Sequence, residues 1–329
     1  MRRVAILAVV LAALCFVPAS AQVRNGQLRP IDENGLVDLS SPVLAHEIEA
    51  MQTEIRANRW TFEVGVNPAM QYDLATLCGR REELLPPDAY ENEYAVEGLV
   101  ATAQATLPAS YVGRFTPPKD QGNCGSCWAF GTIDEAETAV LTHNNTALGK
   151  VNSNGSITAS GSDPDLSEQY VLSCNKYGYS CNGGNCALGF LVAPNKGALN
   201  NSCFQYVASK VACSYCKSPA WTLLTGWGYL TSDTTIPTVT AIKQAIYTYG
   251  GVTAYVYADN LFQAYTGGVY NNAKKYRSTN HEIQLVGWDD AKGAWLLKNS
   301  WGTGWGIGGY MWITYSSCRV GDGAAWATY

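Results

Sequence analysis

Histidine is scarce in this chain. Only His46, His143 and His281 occur among 329 residues, so any imidazole chemistry has three candidates. Charge is scarce too. Asp, Glu, Lys and Arg make up 15% of the chain against 47% hydrophobic residues, which excludes a disordered polyelectrolyte and indicates a folded globular protein. The net charge is -5, the pI is near 5.3, and there is no basic run or basic aromatic stripe. Nucleic acid is therefore not an expected partner. After the first residues no apolar stretch is long enough to span a bilayer, which takes about 20 residues. Zinc is not expected: Cys213-x-x-Cys216 could be half a site, but no second half with suitable spacing accompanies it.

What is present begins with an export signal over residues 1–21. Arg2 and Arg3 precede an apolar run from Val4 to Val17, and Ala19-Ser20-Ala21 supplies a small-residue cleavage site. The run is short for a membrane anchor, and Leu14 before Cys15 argues against lipid attachment. A soluble, exported product follows, secreted or held in a periplasmic, vacuolar or lysosome-like compartment. Cysteine usage agrees with oxidising surroundings: ten of the eleven cysteines remain once Cys15 is removed. Three sequons, at Asn144, Asn154 and Asn200, matter only in a eukaryotic source.

The chain is organised around Gln121-Gly122-Asn123-Cys124-Gly125-Ser126-Cys127-Trp128-Ala129-Phe130. Turn formers lead into a segment with Ile133, Ala136 and Val140 at helical spacing, so Cys127 is expected in the first turn of a helix. The partial positive charge there lowers a thiol pKa and favours the thiolate, the reactive form. Far downstream stand Asn280-His281-Glu282-Ile283-Gln284-Leu285-Val286-Gly287-Trp288 and Lys298-Asn299-Ser300-Trp301-Gly302, followed by further glycines and aromatics. These three segments, in this order, resemble the active-site cysteine, histidine and asparagine segments of the papain-like cysteine proteases. The resemblance runs from about residue 107 to the end.

It implies an α+β, two-lobed papain-like fold, with a helical lobe carrying Cys127 facing a β-rich lobe carrying His281 and Asn299. It implies peptide-bond hydrolysis without a cofactor, by a monomer acting on proteins or peptides. Cys127 is the implied nucleophile, His281 its proton partner, Asn299 the residue that orients the imidazole, and Trp301 the shield of that bond. Gln121 and the Cys127 backbone N–H hold the oxyanion. Gly183 and Gly184 let a substrate backbone approach and pair as a strand would. Asn280 and Tyr255 shape the main specificity pocket. Two disulfides carry over, Cys124–Cys181 and Cys174–Cys213. With Cys127 free and Cys78 outside the mature enzyme, eight cysteines remain, an even number that suits a disulfide framework; the other four cannot be paired from sequence.

The domain reading is signal 1–21, inhibitory propeptide 22–106 and catalytic domain 107–329. Residues 47–55 read as a short helix. Trp60, Gly65-Val66-Asn67 and Leu77-Cys78-Gly79 resemble the short propeptide of cathepsin-B-like enzymes, which in that family blocks the cleft in a non-productive direction. Residues 82–105 form an acidic connector suited to cleavage. Residues 142–165 read as a polar surface loop. Strands are expected at 252–257, 282–288, 295–298 and 310–313, and a helix from Val239 stops at Gly250-Gly251. No histidine lies between His143 and His281, so the paired-histidine loop of cathepsin B is missing and endopeptidase activity is expected.

Two departures bear on the site. Glu282 stands where the family has a small apolar residue; on strand alternation it points away from the cleft, and otherwise it raises the imidazole pKa. Asn185-Cys186 alters the pocket wall. Two rival readings come from other classes. Cys124-Gly125-Ser126-Cys127 opening a helix also fits a thiol–disulfide oxidoreductase, although that leaves His281 and Asn299 unexplained. An inactive homologue kept for binding is the other, against which stands the retention of every expected catalytic residue.

Overall fold

The computed structural model describes residues 21–24, 27–31, 35–84 and 107–329. Nearly all of the expected export signal, and the connector beyond residue 84, lie outside the described residues. Among the described residues no helix is long and apolar enough to cross a membrane.

The Cys127–His143 helix is the axis of the helical lobe. It is buried through Leu141, which is why it lacks a polar face. One side packs on the Glu168–Cys174 helix and the other on the His281–Asp289 and Asp322–Thr328 strands. Ser167 caps the Glu168–Cys174 helix by accepting from the Tyr170 N–H at 3.0 Å, as the Ser-Glu-Gln sequence predicts. Cys124–Cys181, Cys174–Cys213 and Cys203–Cys216 staple this lobe. The first two are the expected pairs, and the third resolves two of the cysteines left open. The eight do not all pair, however. Cys186 and Cys318 are free and buried in separate hydrophobic cores, Cys186 in the helical lobe and Cys318 in the β lobe.

The β lobe is one nine-stranded sheet. Along it lie Thr61–Val64, Tyr265–Tyr270, Tyr310–Thr314, Ala294–Lys298, His281–Asp289, Val252–Val256, Asp322–Thr328 and Gly226–Tyr229. Ser110–Val112 pairs with the far end of His281–Asp289, from Gly287 onward, beyond Leu285 where the pairing with Val252–Val256 stops. The four strands and the Val239–Tyr249 helix foreseen from alternation and turn signals are all present, within a residue or so. Gly250 closes that helix at φ 92°, a conformation that suits glycine.

The N-terminal segment is not a separate body. Its Pro42–Asn58 helix is longer than the nine residues expected, because Ser41 caps it with proline at its first position and Arg59 stops it at φ 56°. The next strand, Thr61–Val64, adds antiparallel to Tyr265–Tyr270 and so completes one edge of the sheet. Residues 142–165 differ from a plain loop: the helix runs on to His143, and Lys150–Val151 pairs with Ile157–Thr158 in a small hairpin.

Candidate active site

Gln121 is fixed before it reaches the site. Its backbone N–H donates to Ser300 O at 2.8 Å, its Oε1 accepts from Ser300 Oγ at 2.7 Å, and its side chain is fully buried. Its Nε2 is thereby aimed at two carbonyls, Cys124 O at 2.7 Å and Leu77 O at 2.9 Å. The second belongs to the N-terminal segment. Ser126 precedes the helix without a side-chain cap, and its Oγ bonds instead to Tyr206 Oη at 2.6 Å. Cys127 is the first helical residue, as expected.

Its thiol does not have the lowered pKa expected of a helix end. Burial pushes it up to about 12, opposed by backbone N–H groups of Glu282, Gly79 and Trp128 that face the sulfur. Gly79 is part of the N-terminal segment, so the cover that excludes water from the cysteine also donates to it. Desolvation under that cover outweighs the helix end. Cys124 is bound to Cys181, so the C-x-x-C stretch is no dithiol, which removes the footing of the oxidoreductase reading.

His281 opens its strand, paired with Val256, and Asn299 lies just past the end of the adjacent Ala294–Lys298 strand. His281 Nε2 and Asn299 Oδ1 are 2.8 Å apart. Because an amide oxygen only accepts, Nε2 carries the proton in this arrangement, and Nδ1 is left as a lone-pair acceptor. Nδ1 is buried with no partner. Burial pulls the imidazole pKa down to about 4, opposed by the Asn299 bond. Trp301 lies 4.7 Å from the imidazole, centroid to centroid, and the Phe262 ring 6.3 Å away walls the same space.

Glu282 does not act on the imidazole, but neither does it point away from the cleft as alternation predicts: its charge reaches Cys127, and it feels that of Arg80 in the groove segment. Its carboxyl takes a hydrogen bond from Thr253 Oγ1 at 2.9 Å and sits over Gly131, where any Cβ would come within 2.7 Å of it. Burial raises its pKa well above the ordinary carboxylate value.

The N-terminal segment runs through the groove between the lobes. Gly184 N donates to Gly79 O at 2.9 Å, and Arg81 N donates to Gly184 O at 2.8 Å, a parallel pairing centred on Arg80. Arg80 N donates to Asn280 O at 3.0 Å. Of the residues assigned to substrate binding, Gly183 and Gly184 are therefore in the groove. A Cβ at Gly183 would meet the Arg81 side chain at 2.5 Å and Gly79 O at 2.7 Å. Asn280 contributes its backbone carbonyl, while its side chain is spent on both backbone groups of Ala258. Tyr255 lies under Arg80, with the guanidinium carbon 4.3 Å from the ring centroid. Trp301 is against the imidazole rather than the segment. Sequence reading missed Ser300, which holds Gln121, and Arg80; no local signal marks either.

The sequence pattern described as "Papain family cysteine protease" matches residues 108–328. Among curated proteins, gamete and mating-type specific protein A of Dictyostelium discoideum is 36% identical over 214 residues, covering 65% of this chain and 43% of that protein. Ananain of Ananas comosus is 32% identical over 204 residues, covering 60% and 52%. The chain thus spans about half the length of these two relatives. Pro-cathepsin H of Bos taurus is 28% identical over 293 residues, covering 83% and 80%. Among solved structures, digestive procathepsin L2 from the larval midgut of Tenebrio molitor superposes with a TM-score of 0.72 at 27% identity, covering 87% of this chain and 90% of that one. That coverage reaches beyond the matched residues 108–328 into the N-terminal segment, which is accordingly a prosegment. The chain belongs to the papain family of cysteine proteases.

Proposed function

We propose that the protein is a cysteine endopeptidase made as a zymogen. Residues 1–21 direct export, 22–106 are the propeptide and 107–329 the monomeric enzyme that acts on proteins or peptides. One observation carries the reading. A peptide carbonyl of the chain itself, Leu77 O, accepts from Gln121 Nε2 at 2.9 Å, while the sulfur of Cys127 lies against the backbone of the residue after His281. That carbonyl stands in for a scissile one.

The reaction assigned to the site is acyl transfer. The Cys127 proton passes to the free Nδ1 of His281, giving an ion pair. The thiolate attacks the carbonyl carbon, and the oxyanion is held by Gln121 Nε2 and the Cys127 N–H. As the C–N bond breaks, the imidazolium protonates the departing amine. Water, deprotonated by His281, then cleaves the thioester and returns the thiol. Asn299 keeps the imidazole plane and tautomer through this cycle, and Trp301 keeps water from their bond.

The covered state accounts for latency. Burial pushes the thiol up to about 12 and the imidazole down to about 4, so both neutral forms are favoured over the ion pair under the prosegment. The segment runs from Gln121 toward Gly184 as the chain proceeds. The resemblance implies that a substrate runs the other way, so Leu77 is held but not presented for cleavage.

The test is hydrolysis of a fluorogenic peptide panel by acid-incubated protein, beside a Cys127→Ala variant and a thiol-specific epoxide. Turnover lost in the variant and blocked by the epoxide, with release of an N-terminal piece, is expected. Absence of turnover together with absence of labelling at Cys127 would overturn the reading.

A further inference from the structure

Arg80 is 2% exposed, although it lies in a segment that covers the groove from outside. Its guanidinium is stacked on Tyr255 at 4.3 Å. Nη2 donates to the Asp233 backbone carbonyl at 3.4 Å, and Nη1 is 3.2 Å from Glu82 Oε2 of its own segment. Burial raises the pKa of the Glu282, Asp233 and Asp322 carboxyls, and the charge of Arg80 works against that rise in each. Three oxygens in this buried group have no hydrogen-bond partner, Glu282 Oε2, Asp233 Oδ2 and Asp322 Oδ1, and neither do Arg80 Nε and Nη1. Asp322 is half used, since its Oδ2 takes both bonds from Arg319, at 3.1 and 2.7 Å.

Buried carboxyl oxygens without partners are costly, and here Arg80 offsets that cost by the charge it brings rather than by hydrogen bonds to them. Three elements far apart in sequence supply them, one at residue 233, one at the start of the His281 strand, one at the start of the Asp322–Thr328 strand. The aromatic floor exists because Gly323 has no side chain; a Cβ there would sit 2.2 Å from the Tyr255 ring. A planar cation over an aromatic face with carboxyls around it is a recognised arrangement for arginine.

We propose that this pocket selects an arginine side chain, and lysine less well, on the substrate residue that pairs with Gly184. The proposal rests on the protease reading above. Arg80 holds that place in the zymogen by the same main-chain pairing a substrate would make. A strand pairing on Gly184 directs the paired side chain into this pocket whether it runs parallel or antiparallel, so the reversed prosegment and a forward substrate load the same site.

Two measurements test it on the activated wild-type enzyme. In the first, peptide sets vary one position at a time on the N-terminal side of the scissile bond, through Arg, Lys, Leu or Phe, to include the residue that pairs with Gly184. At that residue the arginine peptide is expected to exceed leucine in kcat/KM by about tenfold or more, as for a buried site left unpaired by the wrong side chain, and Asp233→Asn or Asp322→Asn should shrink that ratio. In the second, a synthetic peptide of residues 73–84 inhibits the enzyme, and its Arg80→Leu version is expected to bind about tenfold more weakly. This arm uses no enzyme variant that could misfold. Preference for Leu or Phe over Arg at that residue, or equal inhibition by the two peptides, overturns the proposal while leaving the protease intact. No turnover of any peptide with no labelling of Cys127 overturns both.

Discussion

The two lobes are held together by different means. The helical lobe carries all three disulfides of the described residues, and between Cys174 and Trp221 it has only two short 3-10 helices, turns and two-residue pairing. The β lobe has no disulfide among the described residues. It relies on a continuous sheet and a packed aromatic group in which Phe262 contacts Tyr270, Trp301 and Trp305. Where backbone ladders run long, the chain satisfies its own amides; where they do not, covalent ties limit the freedom of the unfolded chain instead. The parts proposed for catalysis follow the same division. The irregular, stapled side carries Cys127 and Gln121, and the sheet carries His281 and brings it to Asn299.

The comparison breaks most visibly if the staples are removed. Cys174→Ser with Cys213→Ser opens a loop with a sequence separation of 39, worth about 4 kcal/mol by loop entropy. Hydrogen exchange should show amides of residues 168–216 losing protection while those of His281–Asp289 keep theirs. Equal loss in both lobes would mean that they unfold as one unit and that the division is only anatomical.

A second test asks whether the stapled side contributes chemistry as well as a sulfur. Gln121→Ala should lower kcat by about 10²–10³, close to 3–4 kcal/mol, with little change in KM. The matching change on the sheet side, Asn299→Ala, should slow the reaction and also alter its pH profile, because the imidazole loses the partner that fixes its proton on Nε2. A KM effect alone from Gln121→Ala would place it in binding.

The prosegment touches both lobes, and its glycine sharpens the contrast. A Cβ at Gly79 would fall 1.9 Å from Gly125 O, against backbone that the Cys124–Cys181 staple anchors. Gly79→Ala should therefore unseat the groove segment and leave the Thr61–Val64 strand paired. The expected outcome is a zymogen whose Cys127 alkylates at neutral pH several times faster than wild type, measured by iodoacetamide labelling.

How far the sequence foretold this depends on the range of the interaction. The Cys127 helix, its glycine-stopped counterpart at Tyr249 and the His281 strand were legible because period, caps and turns are local. The His281–Asn299 pairing was legible only through the resemblance. The Thr61–Val64 strand, whose partner lies about 200 residues away, was not, nor was the Cys203–Cys216 bond. Arg80 in its pocket depends on a cavity built by three separate strands and loops, which no window of sequence displays. The thiol is instructive: the helix end argued for a low pKa, and burial outweighs it.

The smallest effect concerns the junction of the lobes. Glu135 on the Cys127 helix is fully buried against the sheet, where it accepts from Gln284 Nε2 at 3.0 Å and from the Ala327 N–H at 3.3 Å. Burial pushes its pKa up to about 8, opposed by the Gln284 bond. The folded pKa lies above the unfolded one, so its contribution is complete below the unfolded value and is lost as pH rises through about 8. His281, pulled down to about 4, works the other way, weakening the fold as pH falls below its unfolded value near 6.5. Above pH 6.5 Glu135 acts in the same direction as Glu168, pushed up to about 7, and Glu282, which burial raises well above the ordinary carboxylate value. The share of Glu135 in the unfolding free energy should fall by about 2 kcal/mol between pH 6.5 and 8. Glu135→Gln should reduce the slope by that share in urea titrations. If the slope survives the substitution unchanged, the pH sensitivity resides outside the junction, and the two lobes are coupled through packing rather than through this carboxyl.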